Sequence, residues 1–165
     1  MPELPEVETV RAGLAKRVVG KRIKSVKVLH ARATNPKSIS PLGKVENAKI
    51  ITVNRRGKFL WFTLNNDLAL VAHLGMSGQF QIKRSGSESE KHSRAIINLG
   101  KIDLHFIDQR TFGWLSVETM EGGVPTSVSH IAPDPFESTF ELKSTIKNFL
   151  SRKTEIKRAL LNQEI

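Results

Sequence analysis

Apolar and polar positions recur along this chain with two periods, and each period predicts its own kind of element. Val7, Val10, Leu14 and Val18 fall at helical spacing, so the N-terminal stretch reads as a helix with one apolar face. Pro5 suits a first turn, and Glu3, Glu6 and Glu8 lie where a helix dipole favours negative charge. Gly20 stands where a C-terminal cap is expected. The period then shortens. Residues 22–29 are β-branched and partly alternating, a strand, and 45–53 read as another, with a loop carrying Pro36 and Pro41 between them. Residues 59–64 and 68–74 flank the turn Asn65-Asn66-Asp67 as a hairpin, and 95–99 with 102–107 flank Gly100-Lys101 as a second. Residues 112–117 predict a further strand, and the Gly/Ser-rich polar run 83–93 a loop.

Helical spacing returns after Pro133-Asp134-Pro135. Ser138 and Glu141 fit a capping box, Leu142, Ile146, Phe149 and Leu150 form a stripe, and Thr154 caps a second short helix through Ile156 and Leu160. Repeated hairpins without intervening helices predict a mainly β chain with flanking helices. The expected architecture is a two-layer antiparallel β-sandwich over residues 1–133, followed over 134–165 by the start of a helical unit too short to bury a core alone.

Charge narrows the class of partner. The 165 residues hold 26 Lys and Arg against 16 Asp and Glu, a net charge of +10 spread from Arg11 to Arg158. That balance points to a polyanion, nucleic acid first, although a basic protein without such a partner carries the same charge. There is no cysteine, which excludes disulfides, thiol chemistry and a cysteine zinc site within these residues. No apolar run approaches membrane-spanning length and no signal peptide precedes the start, so a cytoplasmic enzyme or binding protein without a membrane partner is expected.

The candidate chemistry lies at the N-terminus, Met1-Pro2-Glu3-Leu4-Pro5-Glu6-Val7-Glu8. A small second residue lets the initiator Met be removed, which would leave Pro2 with a free secondary amine. An α-amino group titrates near pH ~8, so a useful share is neutral and able to attack an electrophilic carbon as a Schiff-base nucleophile. Glu3 beside it is suited to acid–base assistance, and Glu6 to support of the helix start and pocket. The same acids also serve simply as dipole partners of a helix, the blander reading. Three internal segments carry further candidates. Arg55-Arg56-Gly57-Lys58 places Lys58 at a hairpin entrance, a point charge suited to phosphate. His73-Leu74-Gly75-Met76-Ser77-Gly78 puts Met76 at the tip of a glycine-bounded turn, exposed there or else core-filling. Asp108-Gln109-Arg110-Thr111-Phe112-Gly113 lets Arg110 and Phe112 project from one loop.

These four segments, in this order, resemble the bacterial formamidopyrimidine-DNA glycosylases over essentially all of the chain. The resemblance implies a bifunctional DNA glycosylase and AP lyase of base excision repair. Its substrates would be oxidised purines (8-oxoguanine, formamidopyrimidines) in damaged double-stranded DNA, with strand cleavage by β,δ-elimination. By resemblance Pro2 is the nucleophile, Glu3 the acid, and Lys58 a phosphate contact beside the lesion. Met76, Arg110 and Phe112 are the trio that fills the gap left by an everted base, with Arg110 facing the orphaned partner. Lys157, in Thr154-Glu155-Ile156-Lys157, matches a DNA-contacting lysine. Gln109 and Thr111 depart from the common pattern, which has Pro and Arg there. Lys91-His92-Ser93-Arg94 matches only loosely and receives no role. The helical unit would be the beginning of a helix–two-turn–helix domain. No metal or cofactor is expected in this chain, because the family's zinc sits in a C-terminal finger whose cysteines are missing here. A monomeric full-length form, cytoplasmic and on the nucleoid when DNA-bound, is expected, and weak activity for these residues alone. The alternatives are an endonuclease VIII-like glycosylase for oxidised pyrimidines, and a non-catalytic DNA-binding fragment.

Overall fold

Residues Leu4–Val18 form helix α1, the predicted apolar face turned inward through Val7, Leu14 and Val18. The computed structural model describes residues 2–135 and 137–165; Met1, whose removal the Pro2 chemistry requires, lies outside them. Among the described residues nine strands follow: β1 (Ser25–Val28), β2 (Ile50–Arg56), β3 (Phe59–Leu64), β4 (Leu68–His73), β5 (Gln79–Arg84), β6 (Ser93–Asn98), β7 (Ile102–Ile107), β8 (Trp114–Glu121) and β9 (Val124–Pro125). They form two antiparallel sheets, ordered β1-β6-β7-β5 and β2-β3-β4-β8-β9. One core joins α1 to both sheets. Leu60, Phe62 and Leu70 from one sheet meet Ile97, Leu104 and Phe106 from the other, all with side chains essentially removed from water.

The fold departs from the periodicity in several places, four of which bear on the core or the site. Strand β5 stands where no strand was expected. Its sequence Gln-Phe-Gln-Ile-Lys-Arg edges its sheet with no fully buried residue, so the apolar signal is diluted. The strand expected at 45–53 begins only at Ile50. Residues Leu42–Val45 form a 3-10 turn, and Asn47 at φ 65° redirects the chain, so Val45 and Ala48 enter the core from irregular backbone. The strand expected from 112 begins at Trp114, which leaves Phe112 in a loop. The capping box at Ser138 and Glu141 does not form: Glu141 itself occupies the N-cap of α2 (Leu142–Ser151) without a side-chain cap, and Glu155, not Thr154, precedes α3 (Ile156–Leu161).

Two sheet-to-sheet crossings set the geography of the molecule. Phe59, His73 and Trp114 are register partners at one end of the larger sheet. The chain leaves β4 just after His73 to cross into β5, and returns from β7 to β8 just before Trp114. Both crossings therefore lie at one end of the sandwich. The stretch after Pro133 is tied to β2 there by ion pairs from Arg55 to Asp134 (3.0 Å) and Arg56 to Glu137 (2.5 Å).

Candidate functional site at one end of the sandwich

The N-terminal helix delivers its first residues to that same end. The Glu3 backbone N–H donates to Glu6 Oε2 at 2.8 Å, so Glu6 closes the first turn and fixes the direction in which the chain enters it. Pro2, half-buried, sits in a small recess shared with Val7, Lys58, His73, Leu74 and Gly75. Lys58 reaches it from the β2–β3 turn, where Gly57 takes φ 55°, and its ammonium lies 3.1 Å from the Glu3 carboxylate. The Glu3 side chain is two-thirds exposed, so the pair adds little stability. It is a placement device instead: a cation and a carboxylate held together beside Pro2. An incoming phosphate would exchange one anionic partner of Lys58 for another.

The rest of the Arg55–Lys58 run is engaged inside the protein. Arg55 bridges Glu8 (2.8 Å) and Asp134, and Arg56 is buried on Glu137. A bidentate hydrogen bond from Arg11, with Arg55 adding to it against the cost of burial, holds the Glu8 carboxyl down at about 2. His73 faces the recess from β4, stacked on Trp114 with ring centroids 5.6 Å apart. Burial, and secondarily the Lys58 charge, lowers the pKa of its imidazole from the ordinary value. Its Nδ1 accepts the Gly75 N–H at 3.1 Å, so the ring anchors the next turn.

The two crossings carry the apolar candidates. Met76 is 44% exposed and Phe112 58%, unlike nearly every large apolar side chain of the sheets. The Arg110 guanidinium lies over the Phe112 ring, 5.4 Å from its centroid. Glycine makes the close approach of the two loops possible. A Cβ on Gly75, itself at φ 60°, would stand 2.5 Å from Gly113 N and from Phe112 C. Thr111, at φ 55°, turns the backbone so that Arg110 and Phe112 both project outward.

Sequence reasoning missed the residues that join these loops. Asp108 is fully buried, and its carboxylate accepts hydrogen bonds from Ser77 Oγ (2.5 Å), Arg110 N (3.1 Å) and Gly113 N (2.7 Å). Arg94, in the polar run given no role, donates to the carbonyls of Asp108 (2.7 Å) and Gln109 (3.3 Å). An Asp opening a loop that closes on Gly was the available signal, but its partner lies 31 residues away in another crossing. Lys157 is exposed on α3, and no hydrogen bond or ion pair joins it to the Pro2 cluster among the described residues. The C-terminal residues do come close: Gln163 accepts from Ala132 N (2.8 Å) and lies over Gly57. No group of three or more His, Asp or Glu side chains among the described residues is placed to hold a metal, and none of their helices is long and apolar enough to cross a membrane.

The site thus brings together Pro2, Glu3 and Lys58 beside a double loop that presents Met76, Arg110 and Phe112. Comparison with known proteins gives this arrangement a context. Residues 1–115 match the family model of the formamidopyrimidine-DNA glycosylase N-terminal domain. The formamidopyrimidine-DNA glycosylase of Acidothermus cellulolyticus is 48% identical over 170 residues, covering all of this chain and 60% of its own length. That of Corynebacterium glutamicum is 45% identical over 181 residues, covering all of this chain and 62% of its own. Among solved structures, the Lactococcus lactis enzyme bound non-covalently to AP-site DNA superposes with a TM-score of 0.79 at 30% identity, over 99% of this chain and 62% of that one. Its complex with DNA containing Fapy-dG gives 0.77 at 29% identity, over 98% of this chain and 62% of that one. The chain spans about 60% of the length of the curated relatives it matches.

Proposed function

The chain belongs to the formamidopyrimidine-DNA glycosylase family, and on that premise we propose that it acts in base excision repair as a DNA glycosylase with AP-lyase activity toward oxidised purines. The observation that carries this reading is the gathering of Pro2, Glu3 and Lys58 at the end of the sandwich where Met76, Arg110 and Phe112 protrude. The free Pro2 nitrogen attacks C1′ of the damaged nucleotide, and the bond from C1′ to the base breaks as the base leaves with a proton. Glu3 protonates the ring oxygen, the sugar opens, and an iminium joins Pro2 to C1′. Loss of a C2′ proton then expels the 3′ phosphate, and a second elimination expels the 5′ phosphate. Lys58 holds a phosphate of the damaged strand in place of Glu3, and Lys157 adds a further phosphate contact from α3. A base must leave the stack before any of this, and the apolar pair with Arg110 takes up the vacated space. Damaged duplex DNA in the nucleoid is the partner, bound by a monomer. Base excision is proposed for the whole protein, and reaction at abasic sites for these 165 residues as well.

The Glu3→Gln variant tests the assignment. Base excision should fall far more than strand cleavage at a preformed abasic site, since the latter already lacks the base. Equal losses on the two substrates would contradict the role given to Glu3.

A further inference from the structure

The two protruding loops are tied to each other by one carboxylate. Asp108 Oδ1 takes the Ser77 hydroxyl and the Arg110 N–H, and Oδ2 takes the Gly113 N–H. Residues 109–112 therefore form an arch whose two feet rest on the two oxygens of a single side chain. Ser77 belongs to the other loop, one residue beyond Met76, and its Oγ also accepts from Arg110 N at 3.1 Å. Arg94 closes the arrangement from outside by binding the carbonyls of Asp108 and Gln109. No ion pair to the Asp108 carboxylate forms among the described residues, and its oxygens are satisfied by loop donors. A buried carboxylate satisfied only in this way is costly unless every donor stays in place. Opening either loop would strand it. The backbones are as tightly committed, since neither Gly75 nor Gly113 has room for a Cβ.

We infer that Asp108, with Ser77, is a positioning residue that makes Met76 and the Arg110–Phe112 arch one rigid wedge, inserted and withdrawn as a unit. This inference rests on the proposed function, because it presumes that these side chains enter a DNA stack. Its consequence is selective. Loosening the clamp affects only the step that opens a duplex, and leaves chemistry at Pro2 on an already unstacked sugar unchanged.

The test uses the whole chain with Asp108→Asn, which keeps the volume but offers one acceptor oxygen where two are needed, and with Ser77→Ala, which cuts only the link between loops. Two signals are read at low salt: borohydride trapping at an abasic site in duplex and in single-stranded DNA, and the fluorescence of 2-aminopurine placed opposite the abasic site in the duplex. A displacement of about 1 Å can cost on the order of a hundredfold in rate. Asp108→Asn should therefore lower duplex trapping by at least about tenfold and abolish the fluorescence rise, with single-strand trapping within about twofold of the parent. Ser77→Ala should show a smaller loss in the same direction, and it keeps the test decisive if Asp108→Asn does not fold. Equal losses on both substrates, or an undiminished fluorescence rise in both variants, would overturn the inference. Trapping by the parent in the absence of any such selectivity leaves the proposed function standing and removes the clamp. A parent that gives the fluorescence rise but never traps removes the Pro2 chemistry, and the clamp is then judged by fluorescence alone.

Discussion

In the sandwich, Leu60, Phe62, Phe106 and Leu115 show essentially no surface, and the apolar faces of the two sheets and α1 close on one another. In the helices after Pro133 the same kinds of residue stand in water: Leu150 is 81% exposed, Ile156 76% and Leu161 72%. The contrast changes what an exposed apolar side chain signifies. In the helices exposure is the general condition, so no single residue there is marked out by it. In a closed sandwich it is an exception, and Met76 and Phe112 are exceptions that sit together, beside Pro2, on two loops tied to each other by hydrogen bonds and close backbone approach. The tie consists of two glycines without room for a Cβ and one buried carboxylate.

The largest effect expected from this comparison separates two phenylalanines. Phe62→Ala should cost about 3–5 kcal/mol in chemical denaturation, the usual range for a fully buried ring. Phe112→Ala should change stability by no more than about 0.5 kcal/mol, as exposed positions do, while weakening damaged-duplex binding. A comparable stability loss in both would make Phe112 a core residue and erase the distinction. Next in size is Gly75→Ala. With φ at 60° and the Gly113 nitrogen 2.5 Å from the new Cβ, a loss of about 1–3 kcal/mol is expected. Gly86→Ala, in open space though also at positive φ, should cost clearly less, and equal values would show that the close approach of the loops adds nothing.

Most of the fold could be read from the sequence because its central elements carry a strong apolar signal, one face of α1 and near-continuous apolar runs in β3, β4 and β7, and all four lie where they were predicted. What escaped had a physical reason to. Edge strand β5 buries nothing completely, and Val45 reaches the core without being in a strand. At the site, Pro2, Glu3, Lys58 and the protruding residues were visible as candidates, through the family resemblance and the glycines around them. Their support was not. The Ser77–Asp108 contact exists only because two crossings meet, and the Arg94 bonds only because β6 pairs with β7, and no local spacing encodes either.

The smallest effect concerns the joint between the two regions, where Glu8 on α1 holds Arg55, and Arg55 holds Asp134. A carboxyl held at about 2, against an ordinary value of 4.5, contributes stability that is complete above pH 4.5 and is lost as pH falls toward 2. The side chain is 39% exposed, so solvent screening keeps this contribution modest. Melting temperatures should fall over that window, and less steeply in Glu8→Gln. An identical acid profile for the variant would mean that the bonds of Glu8 to Arg11 and Arg55 add no stability.

The central claim is that Pro2 is the nucleophile of a site assembled by the sandwich. Its most direct test is borohydride trapping on DNA containing an abasic site, followed by peptide mapping of the adduct. The account predicts a covalent link on the nitrogen of Pro2 in protein that has lost Met1, and none in protein whose N-terminus is acylated. An adduct on Lys58 or another lysine, or one formed equally well by protein that retains Met1, would contradict it.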